Sequence, residues 1–499
     1  MNIVLVVFDS LRKDCVGCYN SSPSWGRVKN PHLDALANES LVMTRAFPES
    51  LPTIPARRAL YTGERVYPFV NGDFHLKGEF SAAPGWGPIP EDQDTISELL
   101  QKNGYRTCLI SSVYHMFKPS KNFWRGFDQW DFVRGKERDP YRSGPLPTQE
   151  EINYWLYPNK LKADVNDEHE SRVKFVWGSK AHSNTVSLDI ITKELMNMRE
   201  HMKHEEDSIV AQVMIKASKW LQENRDAKNF FLTVESFDPH EPWFVPEQYR
   251  LMYDNNNTHE QVLSLYKDIS KIPPEILRRT QANYSGLVTM CDRWFGYLYE
   301  TMKNLGLLDN TILIVTSDHG HSIGENNYMG KRGYPSRREV FDLPLLIRHP
   351  NKIGAGKKSN LLIQHTDISA LIFDFAKVSP SKIIHGKKFW ENSIKGGKPI
   401  RDHVTVGWGA SITVINDEWW LNCLINGRGA FLYDLNKDPL LKKNVAEEHQ
   451  NVVDYLFSKA VDDAGGNFPD YLLQLAREGM ISPGCSPLAA YAIRSKSEL

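Results

Sequence analysis

Asn2-Ile-Val-Leu-Val-Val-Phe-Asp9 is the stretch that decides the fold class. From Ile3 to Phe8 it is unbroken apolar sequence rich in β-branched residues, with no polar alternation, the pattern of a strand buried on both faces of a parallel sheet. Asp9 closes it. The same grammar recurs outward along the chain. Thr95 to Asn103 reads as a helix stopped by Gly104, and an apolar strand follows from Arg106 to Ser111. Phe230–Val234 and Thr311–Val315 are two more apolar strands, the second preceded by a helical pattern from about Ala282 to Leu305 with Gly306 as its stop. Strands alternating with helices predict an α/β fold, a mostly parallel sheet flanked by helices.

Residues able to do chemistry fall just beyond these strands: Asp9 after the first, His115 after the second, His240 after the third, Asp318 and His319 after the fourth. In open α/β sheets ligands bind outside the carboxyl ends of strands, so these positions are expected to converge on one crevice. From about Gly135 to Asp207 the pattern dissolves into charged and aromatic stretches, including Pro140 to Pro147, read as an insertion near the mouth of the site. After Pro380 come a glycine- and lysine-rich bridge, strand-like runs at Val404–Trp408, Ile412–Ile415, Trp419–Ile425 and Phe431–Leu435, and a helix from about Gln450 to Ala460. The organisation expected is a catalytic domain over 1–379 and a small α+β subdomain over 380–499.

Composition excludes other classes. With 60 basic and 61 acidic residues, the net charge of -1 offers no field for a nucleic-acid backbone. At 41% hydrophobic and without low-complexity tracts the chain can bury a core, yet no run approaches the roughly 18–20 apolar residues of a membrane span. The first apolar run lacks the basic start and long centre of a secretory signal. Six cysteines (15, 18, 108, 291, 423, 485) form no paired C-x-x-C units, and the reading is a cytoplasmic protein with reduced thiols. The acceptor-like triplets at Asn20, Asn256 and Asn283 then carry little weight. Cys15-Val-Gly-Cys18 reads as a turn rather than a redox pair, and Trp408, Trp419 and Trp420 as subdomain core.

The most informative segment is Leu51-Pro-Thr-Ile-Pro-Ala-Arg-Arg-Ala-Leu-Tyr-Thr-Gly63, where Pro55 suits the first turn of a helix and Gly63 its end. Thr53 lies at the amino end, where unpaired N–H groups and the macrodipole favour an alkoxide or a bound oxyanion. Arg57, four residues on, shares its face and has a fork that can grip two oxygens of a phosphate or sulfate group. Taken alone, the segment is read equally well as an ordinary helix start with a surface arginine.

The segment resembles the sulfatase signature C/S-x-P-x-R followed by leucine and Thr-Gly, with Thr53 in the nucleophile position. Asn2 to Gly17, Pro31 to Ala37, Asp94 to Thr107, Asp238-Pro-His-Glu-Pro242, Thr316-Ser-Asp-His-Gly320 and Phe431 to Pro439 also resemble segments of that family, in its order. The resemblance is to the sulfatase branch of the alkaline phosphatase superfamily and implies its fold. It further implies that Asp9, Asp318 and His319 are metal ligands, that Thr53 completes the shell as nucleophile, that Lys331 bridges nucleophile and substrate oxyanion, and that His240 contacts the ester or its leaving group. His115 matches the last residue of the family's Gly-Lys-Trp-His stretch and is expected to bind substrate; the lysine of that stretch is Val113 here. His321 and His365 are read as structural.

Two departures from the family pattern bear on the reaction. Oxidation of Thr53 would give a ketone rather than the aldehyde of formylglycine, so formylglycine is not expected and the nucleophile is unmodified threonine. Threonine nucleophiles occur in phosphodiesterase and phosphonate monoester hydrolase relatives, which moves the preference from sulfate to phosphoryl esters. Ser10 replaces the second aspartate of the usual pair, leaving two carboxylates, an imidazole and a hydroxyl for one divalent ion. That donor set suits Mn²⁺ or Zn²⁺, with Ca²⁺ and Mg²⁺ as the alternatives. The expected activity is metal-dependent hydrolysis of a small-molecule phosphate diester or phosphonate monoester. Hydrolysis of small or carbohydrate sulfates is the second reading, and a silent anion-binding protein the third. Near-zero net charge is compatible with a homo-oligomer.

Overall fold

The computed structural model describes residues 1–70, 84–118, 120–137, 139–156, 194–199, 201–262 and 267–477. At its centre lies an eight-stranded sheet. In chain order the strands are β1 (Asn2–Phe8), β2 (Leu41–Met43), β3 (Arg106–Ser111), β4 (Gln129–Phe132), β5 (Phe230–Ser236), β6 (Thr311–Ser317), β7 (Leu345–Arg348) and β8 (Lys358–Ser359), and their order across the sheet is β8-β2-β7-β6-β1-β5-β3-β4. The five strands from β6 to β4 run parallel, as the apolar runs predict. β7 runs antiparallel between β6 and β2, a reversal that no pattern in Leu345–Arg348 announces.

Period-two alternation sends β1 into both faces. Val4, Val6 and Phe8 enter one core with α4 (Ile209–Glu223) and α5 (Pro274–Asn304), while Ile3, Leu5 and Val7 enter the other with α2 (Thr53–Thr62), α3 (Ile96–Lys102) and α6 (His365–Ala376). The short helix α1 (Pro31–Asn38) covers the first face. α3 begins at a complete capping box between Thr95 and Glu98, which satisfies two end groups. α2 ends at Gly63, whose φ of 73° is the left-handed cap that glycine adopts at least cost. α5 starts at Pro274, eight residues before Ala282, with proline in its first turn.

Beyond residue 380 four antiparallel strands, β9 (Val404–Trp408), β10 (Ser411–Ile415), β11 (Trp419–Leu424) and β12 (Phe431–Asp434), pair in sequence order. One face packs on α7 (Gln450–Asp463), the other, through Trp408 and Trp420, on Phe47, Leu51, Ala56 and Phe341 of the main body. These tryptophans are core. A further helix, Asp470–Arg477, follows, which the sequence reading does not contain. Of the stretch read as an insertion over 135–207, residues 157–193 lie outside the described residues, as do 478–499 with Cys485. Cys15 and Cys18 are both free thiols. Asn283 is buried in α5, where its amide donates to His259 O at 3.1 Å, so it is no glycosylation site. Among the described residues no helix is long and apolar enough to cross a membrane.

Candidate active site

Register brings the chemistry together. Phe8 of β1 is level with Ser236 of β5 and Ser317 of β6, so the residues that follow, Asp9, the Phe237–Pro242 loop and Asp318-His319, leave the sheet at one height. Asp9 N donates to Ser236 O at 2.9 Å and Phe237 N to Ser112 Oγ at 2.8 Å, locking the loops to the strand ends. Ser10, at φ 61°, turns the chain into the left-handed region, uncommon for a residue with a side chain and a frequent mark of functional sites. Its N–H donates to Asp318 Oδ1 at 3.0 Å and its hydroxyl to Asp9 Oδ1 at 2.8 Å. The residue in the place of the missing aspartate thus orients the one that remains.

Asp9, Asp318 and His319 form, among the described residues, the one group able to hold a metal ion, their ligand atoms all within 4.8 Å of one another. All three are buried. Their chemistry fits a cation. Burial and the neighbouring Asp318 push Asp9 well above the usual carboxylate range, the cost of crowding like charges in low dielectric that a bound cation would relieve. Asp318 stands below that range; burial alone would raise it, but His319 and Arg57 hold it down. His319 Nδ1 lies 3.0 Å from Gly320 O, an acceptor only, so Nδ1 carries the proton and Nε2 is the free ligand nitrogen. Nε2 is 3.4 Å from Thr53 Oγ1. Burial depresses this imidazole to about 3, keeping it neutral as a ligand must be.

Thr53 is the first residue of α2, where backbone N–H groups lack intrahelical partners. Arg57 is fully buried one turn along, and its fork is taken by carboxylates rather than held open for an ester. Nη1 lies 2.5 Å from Asp318 Oδ2 and 3.1 Å from Asp9 Oδ2 and donates to Thr53 O at 3.2 Å, while Nε donates to Glu235 Oε2 at 3.0 Å. Arg57 is therefore placed on the carboxylates of Asp9, Asp318 and Glu235 and on the backbone of Thr53.

Lys331 follows the strand Tyr328–Gly330 and is buried. Its Nζ lies 2.6 Å from His240 Nε2. An ammonium only donates, so Nε2 accepts and His240 is neutral with its proton on Nδ1, 2.6 Å from Glu241 O. Burial takes His240 to about 3, Lys331 adding to the depression against the opposing pull of Glu241. The ring stacks on Phe237 at 4.1 Å. His115 joins the same wall, edge-on to Trp86 at 5.1 Å and to Phe237 at 5.9 Å. All eight residues singled out from sequence thus lie around the carboxyl ends of β1, β3, β5 and β6.

Sequence reasoning missed five residues here. Ser10 and Glu235 had a signal: one sits at a site position, and the other is the single ionisable residue in the apolar run Phe230–Ser236. Glu241 and His321 pair at 3.3 Å beside Lys331; Glu241 lies within Asp238–Pro242 and His321 directly follows Gly320. His365, by contrast, is structural as expected, its Nε2 3.0 Å from Ser317 O. Glu137 had no signal at all. It comes from the stretch read as an insertion, yet its Oε1 is 3.8 Å from the Nε2 atoms of both His115 and His240.

A family model described as Sulfatase matches residues 1–378. An arylsulfatase of Clostridium perfringens is 24% identical over 94% of this chain and 95% of its own. Among solved structures, the phosphonate monoester hydrolase of Agrobacterium radiobacter superposes with a TM-score of 0.68 at 19% identity, covering 92% of this chain and 95% of that one. That of Silicibacter pomeroyi gives 0.64 at 18% identity over 95% and 97%. The likeness to these structures extends the family's fold through the C-terminal sheet, past the end of the family match.

Proposed function

The chain belongs to the sulfatase family and is an ester-bond hydrolase, and we propose that it hydrolyses phosphate diesters or phosphonate monoesters with Thr53 as an unmodified nucleophile. The observation that carries this reading is the meeting of Thr53 Oγ1 with His319 Nε2, at 3.4 Å, beside the carboxylates of Asp9 and Asp318. Asp9, Asp318, His319 and the Thr53 hydroxyl would hold a divalent cation, which when bound lowers the pKa of that hydroxyl and offsets charge on the ester. The two carboxylates with one imidazole favour Mn²⁺ or Zn²⁺.

The chain's own groups then divide the work. Arg57 keeps both ligand carboxylates and the Thr53 backbone in place, acting on substrate through them. Ser10 orients Asp9. Lys331, whose donor atoms are shared with neutral His240, supplies positive charge toward oxygens that gain negative character in the transition state. His115 and His240 form the wall that receives the ester's other substituent. Attack by Thr53 Oγ leaves a threonine ester and frees the alcohol; water attacking at phosphorus releases the product and restores the hydroxyl. With a β-methyl on the nucleophile carbon, no aldehyde hydrate can form to expel the group from oxygen, so hydrolysis at phosphorus is the exit.

The test is turnover of paired nitrophenyl phosphodiester, phosphonate monoester, phosphate monoester and sulfate by metal-stripped protein refilled with Mn²⁺, Zn²⁺, Mg²⁺ or Ca²⁺. Diester or phosphonate cleavage that needs metal and falls on the order of 10³-fold or more in Thr53→Ala is the expected result. Dominant sulfate release would instead support the second reading, hydrolysis of a sulfate ester, which the arylsulfatase relative favours.

A further inference from the structure

Glu137 is an acidic residue of the site that the reaction above leaves unused. It stands at φ 56°, in the left-handed region where a side chain is strained and which occurs most at sites that need it. The turn around it explains how the strain is held. Lys136, on one side, is buried and pairs with Asp238 at 2.7 Å, two residues before His240. Asn197 donates to Gly135 O and Asp139 O, both at 3.1 Å, closing the turn from behind. With Lys136 drawn inward behind the loop, Glu137 is thrown to the opposite side, between His115 and His240, with 13% of its side chain exposed.

The groups facing it are these two imidazoles, with Glu241 and Lys331 beyond His240; Glu194 lies behind, next to Lys136. Burial alone would raise the Glu137 carboxyl, but the adjoining His115 imidazole holds it at about 2. It is a fixed negative charge at any working pH. Two residues before His115, Val113 stands where the resemblance places a lysine, and it is buried in the core.

The geometry points to Glu137 as a specificity-determining residue that makes the site select esters bearing a single negative charge and reject dianions such as phosphate monoesters. This rests on the reading of the site as an ester-cleaving one that takes phosphoryl groups. A second charge on the substrate, several ångströms from a carboxylate in a medium of intermediate dielectric, costs on the order of ten- to thirty-fold in binding.

Glu137→Gln keeps the shape and removes the charge. In metal-loaded protein, the ratio of kcat/KM for nitrophenyl phosphate monoester to that for the diester is expected to rise about ten-fold or more in Glu137→Gln, with Glu137→Asp close to the wild type. Inorganic phosphate binding, followed by calorimetry from pH 5.5 to 8.5, supplies a readout that needs no turnover. The wild type should lose affinity as phosphate takes its second charge, and Glu137→Gln should lose about ten-fold less. If the wild type cleaves no ester, the function proposed above fails while the phosphate titration still decides the role of Glu137. An unchanged monoester-to-diester ratio, or parallel phosphate titrations in the two proteins, would overturn it, and a fall in melting temperature with neither change would leave Glu137 a structural group only.

Discussion

His365 shows how burial sets behaviour at the scale of a single residue. It opens α6, its Nε2 faces Ser317 O at 3.0 Å, and burial depresses it to about 4. The unfolded chain takes up this proton near pH 6.5, the native state only near 4, so between those values the unfolded state binds more protons and stability falls as pH falls. Other buried groups in this protein shift both ways, so the contribution is read as a difference. Relative to His365→Gln, which does not titrate, the metal-free wild type should lose about 3 kcal/mol between pH 7 and pH 4, at up to about 1.4 kcal/mol per pH unit. Urea midpoints of the two proteins that track each other across that range would contradict the depressed value. The same burial makes the site legible only in part. Asp9, Asp318 and His319 announce themselves because they close apolar strands; Glu137 sits in a polar stretch, and nothing in Gly135-Lys-Glu137 says that Lys136 turns inward and Glu137 toward the histidines.

At the scale of the element, what matters is how strand ends become a site. The turn after β6 carries both Asp318 and His319 and continues into Gly320, whose N–H donates to Val340 O at 2.9 Å. A Cβ on Gly320 would collide with the Glu339 carbonyl and come within 3.3 Å of the Arg12 side chain. Gly320→Ala must therefore push the turn away from the Glu339 carbonyl. We expect at least a ten-fold loss of Mn²⁺ or Zn²⁺ affinity by calorimetry with the far-UV spectrum unchanged; wild-type affinity would mean that the turn yields without moving its ligands. Helix ends were legible here because they carry local chemistry: the start at Thr95 and the stops at Gly63 and Gly306 all stand where they were read. The start of α5 had a local sign too, Pro274 in its first turn, whereas the direction of β7 had none, since it does not depend on neighbouring residues. β7 is antiparallel because of where the chain returns to the sheet, between β6 and β2.

For the whole molecule, the C-terminal sheet bears directly on the segment that opens α2. Leu51 N donates to Gly407 O at 2.9 Å and Gly407 N to Glu49 O at 3.1 Å, so β9 extends the segment that leads into Thr53. Trp408 packs beside Phe341, and its ring lies against Gly333, two residues after Lys331. Trp408→Ala is predicted to cost about 3–5 kcal/mol. The loss should appear in one unfolding transition, coincident by tryptophan fluorescence and by circular dichroism, together with lower turnover. Two separated transitions, with activity surviving the first, would show that the C-terminal sheet folds and works independently of the site.

By itself the amino-acid sequence determined the layered α/β class, the four strand ends where chemistry collects and the threonine that stands in the signature position. Each is a local property: an apolar run, a residue next to it, a methyl group on one carbon. Only the tertiary structure decided that the fork of Arg57 is taken up by Asp9, Asp318 and Glu235, that Ser10 serves Asp9, and that Glu137 lies between His115 and His240. These depend on which strands are neighbours and in what register, and on a buried lysine turning one way so that its neighbour turns the other, relations between residues far apart in the chain.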